Sequence, residues 1–263
     1  MIYKIKQYIN KNLFKHLKYE FEEYIPNSAG SASLNNKIIK INIKQLTNNL
    51  LNISTWFHEV EVLNLSNLSL DKNLENKVKE LFDRHGSDKS KHGYHILYSN
   101  IFSNLCLNPQ ILEIGIGSVN KKIPSNMGKG GIPGASLLAF SEYFPGSKIY
   151  GADIDPEISI NHQNITTFYL DQNNLCSFDH EVIKDKKFDL IIDDGLHMQS
   201  ANLNTVRFSL DRLNNSGILI IEDIPESALN IWKILYNILE KPFNLELIKC
   251  KDNYAVIIKK LEN

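Results

Sequence analysis

Two stretches of this 263-residue chain end in paired acids: "FDLIIDDGLH", Phe188 to His197, and "GILIIEDIP", Gly217 to Pro225. Each is an apolar, strand-like run that stops at adjacent carboxylates, Asp193 and Asp194 in the first, Glu222 and Asp223 in the second. Like charges side by side cost free energy unless a cation or hydrogen-bond donors face them. An oxygen-only set suits a hard divalent ion such as Mg²⁺. His197, just past the first pair, has the chemistry of a general base. Either pair alone is equally well read as capping a helix, but the two together favour a metal site. A third polar stretch, "RHGSDKSKHGYHILY" from Arg84 to Tyr98, has a composition for hydrogen-bonding a polyol or a cofactor carboxylate rather than for packing. Lys89, His92, Tyr94 and His95 are its candidates for the substrate and Tyr98 for the cofactor.

The segment "ILEIGIGS" (Ile111 to Ser118) sets Glu113 ahead of Gly115, Gly117 and Ser118. Glycines after a strand let a ligand approach the backbone at the carboxyl edge of a parallel sheet. A nicotinamide fingerprint needs a third glycine opening the next helix at once. Here the loop "SVNKKIPSNMGKGGIPGAS" intervenes, so acid-x-Gly-x-Gly reads as a pattern for S-adenosyl-L-methionine (SAM). At the end of "IYGADIDP", Asp153 can accept both ribose hydroxyls through charge-assisted bonds, with Ile154 against the adenine. Asp155, before Pro156, is the candidate helix cap. In "DQNN", Asp171 and Gln172 fit two roles equally, contact with the adenine amine or a helix cap.

These groups need a frame, and the chain from about Gln110 onward supplies one. Short apolar runs at 110–115, 148–154, 165–170, 188–194, 217–223, 243–250 and 254–260 read as seven strands. Helical stretches are expected at 135–143, 156–163, 177–184, 197–213 and 226–239. The last two strands, joined by "KDN", must pair antiparallel. This predicts an α/β fold, the Rossmann-like class I methyltransferase architecture, with helices on both faces of a mostly parallel seven-stranded sheet. Residues 1–80 read as an N-terminal α(+β) extension, a cap or dimerisation element with a strand at 37–43, and 81–263 as the catalytic domain. Lysines and arginines number 29 against 30 acids, net charge −1, so no broad positive field draws nucleic acid. Three cysteines without C-x-x-C spacing argue against a disulfide framework or a zinc site. The start lacks the apolar core and small-residue cleavage site of a secretory signal, and no segment approaches a membrane span, so a cytoplasmic setting is expected. Abundant Lys, Asn and Ile fit an A/T-rich bacterial genome.

Together, "GSDKSKHGYHILY", "ILEIGIGS", "PSNMGKGGIPGASL", "YFPGSKIYGADIDP", "DQNN", "FDLIIDDGLH" and "IIED" resemble the metal-dependent sugar O-methyltransferases that modify macrolide sugars, a group that includes cephalosporin hydroxylase-like proteins. The resemblance covers roughly Gly86 to Asp223. It implies Mg²⁺ held by Asp194, Glu222 and Asp223, two neighbouring sugar hydroxyls on the ion, His197 as base, and Asp193 on the cofactor side or behind the ligands. Leu196 departs from the small polar residue usual in the family, which bears on local substrate contacts. The acceptor expected is a nucleotide-activated hexose or heptose for a bacterial surface glycan such as capsule or lipopolysaccharide. The alternatives are a sugar of an antibiotic or other small molecule, or a non-catalytic SAM-binding partner protein. The presence of every ligand and the base counts against the last of these. A homo-oligomer is compatible with the extension.

Overall fold

Fully apolar runs lie at the centre of the sheet. Leu190–Ile192, Ile218–Ile221 and Val256–Ile258 are buried along their whole length, as strands covered by helices on both faces must be. The computed structural model describes residues 45–52, 57–68, 71–123 and 126–262. In chain order the strands are β1 (Val62–Asn64), β2 (Gln110–Ile114), β3 (Lys148–Asp153), β4 (Ile165–Tyr169), β5 (Phe188–Asp193), β6 (Leu213–Ile224), β7 (Phe243–Lys249) and β8 (Tyr254–Lys260). Across the sheet they run β1-β7-β8-β6-β5-β2-β3-β4. Only β8 is antiparallel to its neighbours, β6 and β7. All seven expected strands are present, and so is the antiparallel end. The eighth, β1, pairs with β7 at the edge and is three residues long, too short to show a period in sequence.

Helices α1 (Lys72–His85), α2 (Tyr94–Asn104) and α3 (Ala135–Tyr143) pack on one face, and α4 (Gln199–Arg212) and α5 (Leu229–Ile238) on the other. Helix α1 starts where Asp71 accepts hydrogen bonds from the Asn73 and Leu74 amides and stops at Gly86 in the left-handed region, φ 77°. Its buried residues Val78, Leu81 and Phe82 share one side. On α2 the buried set Tyr94, Leu97, Tyr98, Ile101 and Phe102 repeats at helical spacing. Tyr98 is wedged against Phe82, Phe102 and Phe140 with ring centroids 5.5, 5.5 and 5.7 Å away. Burying a ring of this size contributes about 1.5–3 kcal/mol and fixes its rotamer.

Two expected helices do not form. Residues 156–163 make a turn and an extended link, with Asp155 accepting from the Glu157 amide and Thr167 Oγ1 from the Ile160 amide. Over 177–184 there is only a 3-10 turn at Leu175–Asp179 and a further turn, capped by Asn174. Helices α1 and α2 were not expected; the polar stretch 84–98 spans the end of one and the start of the other and interrupts the apolar stripe.

Contacts divide the chain into two compact units, Met1–Ile53 and Ser54–Asn263. Of the first, residues 45–52 are helical; the expected strand at 37–43 lies outside the described residues. The division expected at residue 80 falls inside α1. No helix among the described residues is long and apolar enough to cross a membrane.

Candidate active site

Strand alternation decides where each acid points. Ile111 and Ile192 belong to the core under α1–α3, whereas Leu112 and Ile191 belong to the core under α4 and α5. Counting in twos carries Glu113 and Asp194 to the first face and Asp193 to the second. On β6, Ile220 puts Glu222 on the first face as well. Asp223 follows at an irregularity of the β6–β8 register, with φ 55°. His197, in the turn before α4, also lies in the left-handed region at φ 53°. Such conformations cost of order 1–3 kcal/mol and concentrate at functional sites.

On the first face the acids meet a cation from the turn between α1 and α2. The Lys89 Nζ donates to Asp194 Oδ2 at 2.7 Å and Glu222 Oε2 at 2.8 Å and lies 3.3 Å from Glu113 Oε1. The Lys89 side chain is 3% exposed. Burial opposes its charge, but the carboxylates of Asp194, Glu222 and Glu113 outweigh it and hold the ammonium well above the ordinary lysine range. Burial pushes the Glu222 carboxyl up to about 8, against the pull of Lys89. Tyr98 donates its hydroxyl to Glu222, and Ser136 to Glu113. The Tyr94 hydroxyl donates to Asp223 Oδ1 at 3.0 Å and accepts from the Asp223 amide at 2.9 Å, which fixes that carboxylate.

Toward the cleft, Asp194, His197 and Asp223 offer ligand atoms all within 4.8 Å of one another. His197 Nε2 is 4.0 Å from both Asp194 Oδ1 and Asp223 Oδ2. These gaps are too long for hydrogen bonds and leave room for an atom between the groups. Two carboxylate oxygens facing an imidazole suit a hard divalent cation with a base beside it. The donor chemistry therefore fits Mg²⁺.

On the second face Asp193, fully buried, accepts from Gln172 Nε2 at 2.7 Å, Asn202 Nδ2 at 3.0 Å and the Gly195 amide. Burial raises its carboxyl pKa and these donors offset part of the rise. Gln172 also receives the Leu196 amide at 2.9 Å, so the network holds the turn from Asp194 to His197. Gly115 is required by that turn. Its φ is 87°, and a Cβ there would come within 2.3 Å of the Asp194 carbonyl oxygen.

Two clefts meet at Gly115, Gly117, Asp194 and Gly195. One holds Lys89, His92, Tyr94, His197, Glu222 and Asp223, with Met127 and Ile132 from the β2–α3 loop. The other has a volume of about 350 Å³ and holds Ser118, Asp153, Ile154, Leu170, Asp171 and Gln172. That is enough for a nucleoside-sized ligand. Asp153 Oδ2 accepts from the Gly117 amide at 3.1 Å and Oδ1 from the Asp155 amide at 3.0 Å; burial raises its pKa. Asp155 accepts from Ser118 Oγ, which holds its carboxyl below the usual range, and so braces the glycine loop rather than a helix.

The eighteen expected positions separate accordingly. The clefts collect Gly115, Gly117, Ser118, Asp153, Ile154, Asp171, Gln172, Asp194, His197, Glu222, Asp223, His92 and Tyr94. Glu113, Tyr98 and Asp193, expected at the cofactor, line neither cleft; they are buried behind it as supports. Lys89, expected at the substrate, spends its ammonium on carboxylates. His95 lines neither cleft; burial lowers its pKa, and the charge of Lys79 acts in the same direction. Glu222, expected as a ligand, is engaged by Lys89 and Tyr98, and the donors that converge are Asp194, His197 and Asp223. Sequence reasoning missed Met127, Ile132 and Ser136; their only signal is the long glycine-rich loop between motif and helix.

No protein-family model matches the chain. It is 31% identical over 144 residues, 54% of its length and 35% of the relative's, to an 8-demethyl-8-(2-methoxy-α-L-rhamnosyl)-tetracenomycin-C 3'-O-methyltransferase of Streptomyces olivaceus. It is 30% identical over 115 residues, 44% of its length and 27% of the relative's, to a mycinamicin VI 2''-O-methyltransferase of Micromonospora griseorubida. The chain thus spans about a third of the length of these curated relatives. Among solved structures, the MycE methyltransferase of the mycinamycin biosynthetic pathway, in complex with Mg, SAH and mycinamycin VI, matches with TM-score 0.58 at 23% identity, covering 70% of this chain and 54% of that one. The fold is that of a class I methyltransferase. These relatives are named for sugars on tetracenomycin or mycinamicin, so the expected surface-glycan acceptor finds no support in them and the small-molecule alternative does.

Proposed function

We infer that the chain is a SAM-dependent O-methyltransferase that methylates a sugar hydroxyl of a small-molecule glycoside, with a divalent cation at Asp194 and Asp223. The observation that carries this reading is the junction of the two clefts at Asp194: the carboxylate of Asp153 lies in one, and Asp194, Asp223 and His197 converge in the other. A bound cation would supply Lewis acidity to the acceptor hydroxyl, and SAM the methyl group. Asp153 accepts the ribose hydroxyls, with Ile154 and Leu170 beside the base. Asp194 and Asp223 would hold the cation, and Tyr94 fixes the Asp223 carboxylate. His197 Nε2 would take the hydroxyl proton as the oxygen bonds the methyl carbon and the methyl's bond to sulfur breaks, S-adenosylhomocysteine leaving. Gly115 lets the Asp194 turn approach the glycine loop, where the two clefts meet. Holding both ligands in reacting geometry supplies on the order of 7–11 kcal/mol of the barrier.

Incubating the purified protein with SAM, Mg²⁺ and a panel of glycosides, free sugars and nucleotide sugars tests the reading. Mass spectrometry should find the gain of one methylene on a glycoside, abolished by EDTA and restored by Mg²⁺. Exclusive methylation of nucleotide sugars would overturn the acceptor, and turnover indifferent to EDTA would overturn the metal.

A further inference from the structure

We propose that Lys89 is a positioning residue that serves as the site's resident cation: it holds the inward oxygens of Asp194 and Glu222 and thereby keeps the divalent ion in the outer position beside His197. This rests on the metal reading above. An ammonium has three protons, and Lys89 has three carboxylates around it, at 2.7, 2.8 and 3.3 Å. Two of those protons are donated to Asp194 and Glu222, and the charge of Glu113 lies beside the ammonium without a hydrogen bond. A lysine 3% exposed has lost nearly all its hydration, so it is retained where acids offset that loss. Its grip divides the two oxygens of Asp194. Oδ2 goes to the ammonium, while Oδ1 faces His197 Nε2 across 4.0 Å.

Affinity for a hard cation follows the charge count of its ligands. With Lys89 in place, one charge of the cluster is already neutralised and its inner side is occupied. Without it, Asp194 and Glu222 are free to turn onto the divalent ion and draw it inward, away from the base. Removal of Lys89 should therefore tighten metal binding while slowing turnover. A lysine that merely stabilises the fold would loosen both together.

The probe is Mn²⁺ alone, counted by electron paramagnetic resonance against wild-type protein, Lys89→Met and Lys89→Arg. Lys89→Met should bind Mn²⁺ about tenfold or more tightly than wild type, with lower kcat, and Lys89→Arg should stay near wild type in affinity. Equal or weaker Mn²⁺ binding by Lys89→Met overturns the role of Lys89. If wild type takes up no Mn²⁺, the metal reading itself falls and Lys89 falls with it. Should Lys89→Met fail to fold, a wild-type crystal soaked with Mn²⁺ decides. An ion on the Asp194 Oδ1 side, with Nζ still bonded to Asp194 and Glu222, supports the role; an ion in the ammonium's place overturns it.

Discussion

Asp193 and Asp194 are neighbours in sequence and occupy opposite worlds. Asp194 stands on the face shared with Glu113 and Glu222, among charges, with a quarter of its side chain open to the cleft. Asp193 stands on the other face, fully buried, among the neutral donors Gln172, Asn202 and Gly195. One face keeps crowded carboxylates partly unmet, which is what a cation site needs. The other satisfies its carboxylate from all sides, which is what a scaffold needs. The difference teaches that the site is built by dividing each acid pair between two jobs.

The sharpest way to break this comparison is Asp194→Asn. Loss of a proposed cation ligand would remove several kcal/mol of transition-state stabilisation, so kcat/KM should fall on the order of 10³-fold, while the melting temperature holds or rises because a crowded charge is gone. His197→Ala should cost about 10²-fold or more in rate and leave Mn²⁺ affinity near wild type. Asp193→Asn should do the reverse of Asp194→Asn: a loss of about 1–3 kcal/mol in stability, read by urea unfolding, with kcat within a few-fold at low temperature. Asn202→Ala, removing one donor of that network, should cost about 1 kcal/mol and leave turnover unchanged. If Asp193→Asn abolished activity without loss of stability, the two faces would not differ in kind.

Much of the frame was legible because its signals are local. The seven long strands are continuous apolar runs, and the acids that end β5 and β6 mark the sheet's carboxyl edge without any tertiary information. At 156–163 and 177–184 polar spacing imitates a helical face, whereas Asp155 and Asn174 accept from nearby amides and make turns instead. In α1 and α2 the helical period is carried by Val78, Leu81 and Phe82, then by Leu97, Tyr98, Ile101 and Phe102. Part of the site was also readable: alternation from Ile191 and Ile192 already separates Asp193 from Asp194.

By itself the sequence determined the fold class, the edge where chemistry gathers, and the residue types present there, since periodicity and strand ends are properties of adjacent residues. Only the tertiary structure decided which acids stay open. Lys89 lies 105 residues from Asp194 and 133 from Glu222, and no local pattern tells that its ammonium enters between them. Nor does one tell that Glu113 and Tyr98 stand behind the cleft rather than in it. Which charges neutralise one another depends on distances across the fold, and in a low-dielectric interior those distances govern the chemistry.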